Sequence, residues 1–123
     1  MMLEKALESL RAAELCFQEK MYNSTANRAY YAMFQAAVFA LEQVGVKPKA
    51  DQWAHSVLQS TFTNELTRNR KLYPHKFAAY LSDALVVRNQ ADYRQVMIST
   101  NQARSLLKWA QEIVKSVAGG KQS

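Results

Sequence analysis

The stretch from residue 26 to 41, ANRAYYAMFQAAVFAL, constrains the fold more than any other part of the chain. Tyr30, Phe34, Val38 and Leu41 recur every three to four positions, and Ala37 and Val44 share their face. That period is helical. Alanines at 26, 29, 32, 36, 37 and 40 keep the rest of the surface small, so another helix can approach closely. Asn23, Ser24 and Thr25 offer N-cap side chains for this helix, and Gly45 suits the position just past its end.

The remaining chain reads the same way. Leu3, Leu7, Leu10, Phe17 and Met21 put an amphipathic helix over residues 2–20. Glu14 lies on its apolar stripe, where a carboxylate needs a basic partner, and Arg28 is the expected one. Trp53, Val57, Leu58, Phe62 and Leu66 mark a third helix near 51–66, after a connector that holds Pro48. The basic run TRNRKLYPHK (67–76), broken by Pro74, reads as a loop. Phe77, Tyr80, Leu81, Ala84, Leu85 and Val87 define a fourth helix ending about Arg88. Ser99 or Thr100 caps a fifth, which carries Ala103, Leu106, Leu107, Ala110, Ile113, Val114 and Val117. Three glycines and two prolines leave little room for the turns of an all-β chain. The expectation is therefore all-α: an up-and-down bundle of four to five helices, one domain over residues 1–118 with a flexible tail at 119–123. A chain of 123 residues, 49% hydrophobic, buries roughly two-thirds of its unfolded surface without a metal or disulfide.

The single cysteine, Cys16, cannot form an internal disulfide and fits a reducing compartment. On this helix it reads as a small core residue. Residues 1–18 carry charges throughout, which argues against a signal peptide, and the longest apolar window is too short to span a bilayer. A cytoplasmic protein without membrane attachment is expected. The formal charge is +6, and residues 1–20 hold four acids against three bases, so the rest of the chain carries +7. Such a surplus favours a polyanion, with RNA, DNA or a nucleotide the first candidates, and also serves solubility.

The segment RNQADYR (88–94) falls between two predicted helices. An arginine among polar residues at a helix end can grip a phosphate through its planar fork. Equally, Arg88 can pair with Asp92 at i, i+4 spacing, which would consume the same guanidinium. Arg28 and Asp92 form another possible structural pair. Tyr30 and Tyr31, on a core helix, read first as packing residues with hydroxyls reaching a partner.

NRAYYAMFQAA (27–37), His55 at the start of the third helix and RNQADY (88–93) together resemble the HEPN domain family of bacteria and archaea. The likeness runs through nearly the whole chain. It implies a compact helical bundle that forms a homodimer, with the C-terminal ends of the fourth helices meeting near the two-fold axis. Many members are metal-independent ribonucleases, and many act in toxin–antitoxin or defence modules beside a minimal nucleotidyltransferase protein. Others bind nucleotides or serve as scaffolds. No cofactor or metal is expected.

Nuclease members share an Arg, usually followed by Asn, Asp or His, and a closing His four to six residues on. Arg88 and Asn89 match the opening, but Tyr93, Arg94 and Gln95 occupy the positions where the His would stand. Cleavage without metal needs a base, an acid and positive charge on the phosphorane. Arg88 can supply the charge and Asn89 a hydrogen bond. A phenol, with a reference pKa of roughly 10, is a poor base where imidazole is well matched, and losing the general base removes roughly 10²–10⁴-fold. The catalytic candidates are thus Arg88, Asn89 and Tyr93, in a motif that reads as degenerate. Arg88, Arg94, Arg68, Arg70, Lys71 and His55 are the candidate nucleic-acid contacts, with Lys76 beside them. Arg70 to His75 also spells Arg-x4-His, but within the basic loop rather than at the end of the fourth helix. His55 can equally be a half-buried helix-start residue. Through the resemblance, Tyr93 is the candidate acceptor of an adenylate from the nucleotidyltransferase. Three functions follow: an RNA- or nucleotide-binding module with a degenerate nuclease motif, an active ribonuclease toxin, or a non-catalytic dimeric scaffold.

Overall fold

The computed structural model describes residues 2–122, with side chains through residue 119. Its elements are α1 (Met2–Gln18), α2 (Tyr22–Gln43), α3 (His55–Phe62), α4 (Lys76–Tyr93) and α5 (Thr100–Gln122), with no strand among the described residues. A π-helical segment, Thr63–Asn69, continues α3. The all-α bundle expected from periodicity is the observed architecture.

The alanine-rich helix sits at its centre, packed against all four others. Ala26, Ala29, Ala32 and Ala36 are fully buried and face neighbours that would be pushed away by larger side chains. Tyr30, Met33, Phe39 and Leu41 fill the wider gaps, while Leu58 and Phe62 on α3, Leu81 on α4 and Leu106 and Ile113 on α5 close the core.

Both ends of the first connection are specified by backbone geometry. At the end of α1, Lys20 (φ 60) is in the left-handed region. Lys20 N–H donates to Phe17 O at 3.0 Å and Met21 N–H to Cys16 O at 2.8 Å, the paired bonds of a Schellman cap. The same pattern closes α2, where Gly45 (φ 78) donates to Glu42 O and Val46 to Leu41 O. The glycine is where the sequence placed it. The N-cap is not: α2 begins one turn earlier than Asn23-Ser24-Thr25 implies, capped at Met21 with no side-chain bond. Thr25 is buried and bonds back to Met21 O at 2.9 Å. Asn23 is used elsewhere, accepting the Ile98 N–H at 2.9 Å and so tying the α4–α5 connection to α2. Ser99 does cap α5, in a reciprocal box with Gln102: Gln102 N–H donates to Ser99 Oγ at 3.1 Å and Ser99 N–H to Gln102 Oε1 at 3.0 Å.

Three further expectations are corrected. The third helix begins at His55, and residues 51–54, including Trp53, lie outside it. Its far end runs past residue 66 into the expected loop, because the π-helical segment keeps Leu66 and Thr67 buried while Thr67 bonds back to Thr63 O. Glu14 does not meet Arg28; its Oε2 accepts from Gln111 Nε2 at 3.1 Å, joining α1 to α5, and Arg11 lies 3.9 Å from the other oxygen. Most consequential, α4 does not stop at Arg88. It continues to Tyr93, so RNQADY forms its last turns instead of a connection between helices. No residue of those turns is buried, which is why apolar periodicity could not reveal them. The backbone of α5 likewise runs on through Gln122, beyond the apolar stripe that ends at Val117. Of the tail expected to be flexible, Ser123 and the side chains of 120–122 lie outside the described residues.

Candidate functional site

The last turns of α4 lie against the first half of α2, and polar side chains join them. Arg88 is the hub. Its side chain is 12% exposed, and its Nε lies 2.9 Å from Asp92 Oδ2. That oxygen sits off the N–H axis, so the contact is an ion pair without a directed hydrogen bond, and Nε–H remains a buried donor lacking an acceptor. Arg88 Nη2 donates to the Tyr31 hydroxyl at 3.0 Å, and Nη1 to Asn89 Oδ1 at 3.2 Å. Of the five guanidinium N–H groups, two terminal ones have no acceptor among the described residues.

Asp92 is shared. Its Oδ2 also accepts from Asn27 Nδ2 at 2.8 Å, and Asn27 Oδ1 accepts from Arg28 Nε at 2.9 Å and from Nη2. Arg28 and Asp92 are therefore linked through Asn27 and not paired directly. Both guanidiniums lie over one ring, Arg28 at 5.2 Å and Arg88 at 5.3 Å from the Tyr31 centroid. Cation–π contact explains how two like charges are held so near each other. Against them stands the one Asp92 carboxylate, so the cluster carries a net positive charge. A hollow of about 350 Å³, lined by Asn27, Arg28 and Asp92 together with Ala12 and Cys16 of α1, opens beside it.

His55 approaches the same cluster from α3. Its Nδ1 lies 2.5 Å from the Tyr30 hydroxyl. Burial pushes the Tyr30 phenol well above the ordinary tyrosine range, with the Arg88 charge opposing. Tyr30 therefore keeps its proton, and since no other acceptor for it lies among the described residues it donates to Nδ1 of His55, which puts the ring proton on Nε2. Burial, and then the Arg88 charge, hold His55 below the ordinary pKa of 6.5. At neutral pH His55 is thus an uncharged donor through Nε2, with its basic nitrogen already occupied.

The structure brings Arg88, Asn89, Tyr93 and His55 together and leaves the other candidates apart. Tyr93 is 75% exposed, its ring 5.5 Å from the Arg88 guanidinium. Arg94 follows the helix as its exposed C-cap. Arg68, Arg70 and Lys71 are exposed at and just beyond the π-helical segment. Arg68 shares a shallow hollow with Ala78 and Ser82 of α4, roughly 9–15 Å along the helix from Arg88 at 1.5 Å per residue. The Arg70–His75 spacing therefore builds no second site around Arg88. Lys76 is engaged by Glu112 at 3.1 Å. The suspected Arg88–Asp92 competition is real. Sequence reasoning missed Asn27 as the link and Tyr31 as the platform, although both lie in the quoted NRAYYAMFQAA run.

A five-helix bundle with an Arg-Asn pair in the last turns of α4 and a tyrosine-rich central helix defines a HEPN-type domain. The HEPN domain family model matches residues 1–120, and the chain belongs to that family. It is 30% identical over 107 residues to Putative toxin MJ0142 of Methanocaldococcus jannaschii, covering 86% of this chain and 69% of that protein. It is 26% identical over 116 residues to Putative toxin MJ0605 of the same organism, covering 94% of this chain and 83% of that one. No helix among the described residues is long and apolar enough to cross a membrane.

Proposed function

We propose that this chain is a toxin-type HEPN protein that holds a phosphate of RNA or of a nucleotide at Arg88, within a toxin–antitoxin or defence module beside a minimal nucleotidyltransferase. The observation that carries the reading is the pair of guanidiniums over Tyr31 opposed by a single carboxylate. An incoming phosphate meets a local positive surplus and two terminal Arg88 N–H groups without acceptors. The names of the two relatives support the toxin part.

Binding is favoured over efficient cleavage. The closing His of the nuclease motif is replaced, and His55 has its basic nitrogen tied to Tyr30, so no imidazole at Arg88 is free to take the 2′-hydroxyl proton, and the Asp92 carboxylate, engaged by Arg88 and Asn27, is a weaker base. A homodimer through the end of α4 is supported by the exposure of Val86, Tyr93, Val96 and Met97, each more than half exposed. In the undimerised chain the same exposure leaves the Tyr93 hydroxyl open to adenylylation by the partner.

The test is single-stranded RNA binding measured across a salt series. Wild type should lose affinity as salt rises, and Arg88→Ala should bind more weakly with a slope shallower by about one phosphate contact. Equal slopes would remove Arg88 from the reading. Intact-mass measurement after co-expression with a nucleotidyltransferase should find one adenylate adduct, absent from Tyr93→Phe; an adduct that persists in that variant would move the acceptor elsewhere.

A further inference from the structure

Tyr31, the ring over which both guanidiniums lie, also borders a cavity of about 500 Å³. Its size suits a small ligand. Tyr31, Phe34, Trp53 and His55 form its aromatic walls, with Glu42 and Asp51 at its rim. The rings are clustered: Phe34 and His55 centroids are 5.0 Å apart, Tyr31 and Phe34 6.4 Å, Tyr31 and His55 6.5 Å. No lysine or arginine lines this space among the described residues. A phosphate is therefore not its natural occupant. A flat, uncharged, donor-rich ring is.

We infer that this cavity is a nucleobase subsite for the nucleotide whose phosphate sits at Arg88, and that Glu42 and Asp51 bias it toward bases with donor edges, guanine first and uracil last. The inference rests on the phosphate reading of Arg88 given above. One residue joins the two places: the Tyr31 ring borders the cavity while its hydroxyl accepts from Arg88 at 3.0 Å. Base and phosphate of one nucleotide would thus meet at a single tyrosine. Base–aromatic stacking is sequence-tolerant, so the four rings supply affinity and little choice. Choice comes from the carboxylates. Guanine presents adjacent imino and amino N–H groups that a carboxylate accepts as a pair, whereas the carbonyl oxygens of uracil face it unfavourably. The His55 Nε2–H adds a fixed donor for a ring nitrogen or carbonyl.

Trp53 makes the test direct, because its indole N–H gives one of only two tryptophan side-chain resonances. The other, Trp109, stacks on Tyr80 at 5.1 Å in a different part of the bundle and serves as internal control. Guanosine, which lacks a phosphate, should shift the Trp53 resonance and leave Trp109 in place, with uridine about tenfold weaker. Trp53 also borders a second hollow containing Lys47 and Lys49. Glu42→Gln combined with Asp51→Asn assigns the shift: guanosine and uridine should then bind within about twofold of each other. Arg88→Ala should remove the advantage of guanosine monophosphate over guanosine. A silent Trp53 at saturating nucleoside, or a preference for guanosine that survives loss of both carboxylates, overturns the subsite. RNA binding that depends on Arg88 while Trp53 stays silent sinks the subsite alone. Guanosine shifts at Trp53 with RNA binding indifferent to Arg88 sink the phosphate reading alone.

Discussion

Replacing Asp92 by Asn should weaken the fold and strengthen phosphate binding at once. One oxygen, Asp92 Oδ2, serves both Arg88 Nε at 2.9 Å and Asn27 Nδ2 at 2.8 Å. An amide can still accept from Asn27, but Arg88, only 12% exposed, loses its counter-charge. Exposed i, i+4 pairs contribute about 0.3–0.5 kcal/mol, and hydrogen bonds to charged groups about 1.5–3. This pair is mostly shielded yet off the N–H axis, which places the loss at about 1–2 kcal/mol. For a domain of this size that lowers Tm by roughly 4–8 °C. The effect on binding has the opposite sign. A carboxylate roughly 6 Å from a seated phosphate repels it by about 1.4 kcal/mol at an effective dielectric of 40, and physiological salt about halves this. Single-stranded RNA should then bind about three- to tenfold tighter to Asp92→Asn. Melting followed by circular dichroism and fluorescence anisotropy with labelled RNA give the two readouts. Parallel losses of stability and affinity would refute the reasoning, since they would make Asp92 the device that presents Arg88, not its competitor.

Other expectations rest on different parts of the fold. Lys20→Gly relieves a left-handed lysine in the Schellman cap of α1 and should raise stability by about 0.5–1 kcal/mol in urea unfolding; a loss would mean the lysine's side chain matters more than its backbone. Phe62→Ala empties a fully buried position and should cost about 3–5 kcal/mol in the same assay, a smaller loss indicating that the π-helical segment collapses onto the space. His55 is held below its ordinary pKa of 6.5. As pH falls below that value the unfolded chain takes up a proton that the folded one resists, so stability should decline from about pH 7 to 5. His55→Gln should flatten that decline, and an unchanged slope would assign it to other groups.

Apolar periodicity carried most of the fold, because five helices each bury a stripe and the stripe is written every three to four residues. It failed where the structure is held by something else. The last turns of α4 hold no fully buried residue and are tied to α2 by Arg88, Asp92 and Asn27, the last two 65 positions apart. The start of α2 is set by backbone geometry at Lys20 and Met21, and Asn23, a good cap by type, is spent on the Ile98 N–H. Of the site, Arg88, Asn89 and Tyr93 were legible because they lie close together in the chain. The resemblance that pointed to them also contained Asn27 and Tyr31, whose roles were not legible.

What the sequence determined by itself is the helical class, the alanine-rich centre, the glycine stop at Gly45, a cap at Ser99 or Thr100 and the absence of a closing histidine after Arg88. Each is a local property, read from one helix period or one short motif. Tertiary structure alone decided that Arg28 and Arg88 share the Tyr31 ring, that Asn27 links Arg28 to Asp92, and that Tyr30 ties up the His55 nitrogen. It also brought Trp53 and Tyr31 to the walls of one cavity. Apart from Arg28 and its near neighbours Asn27 and Tyr31, these pairs lie 22 to 65 positions apart, and their geometry depends on how α2, α3 and α4 pack, which no single segment encodes.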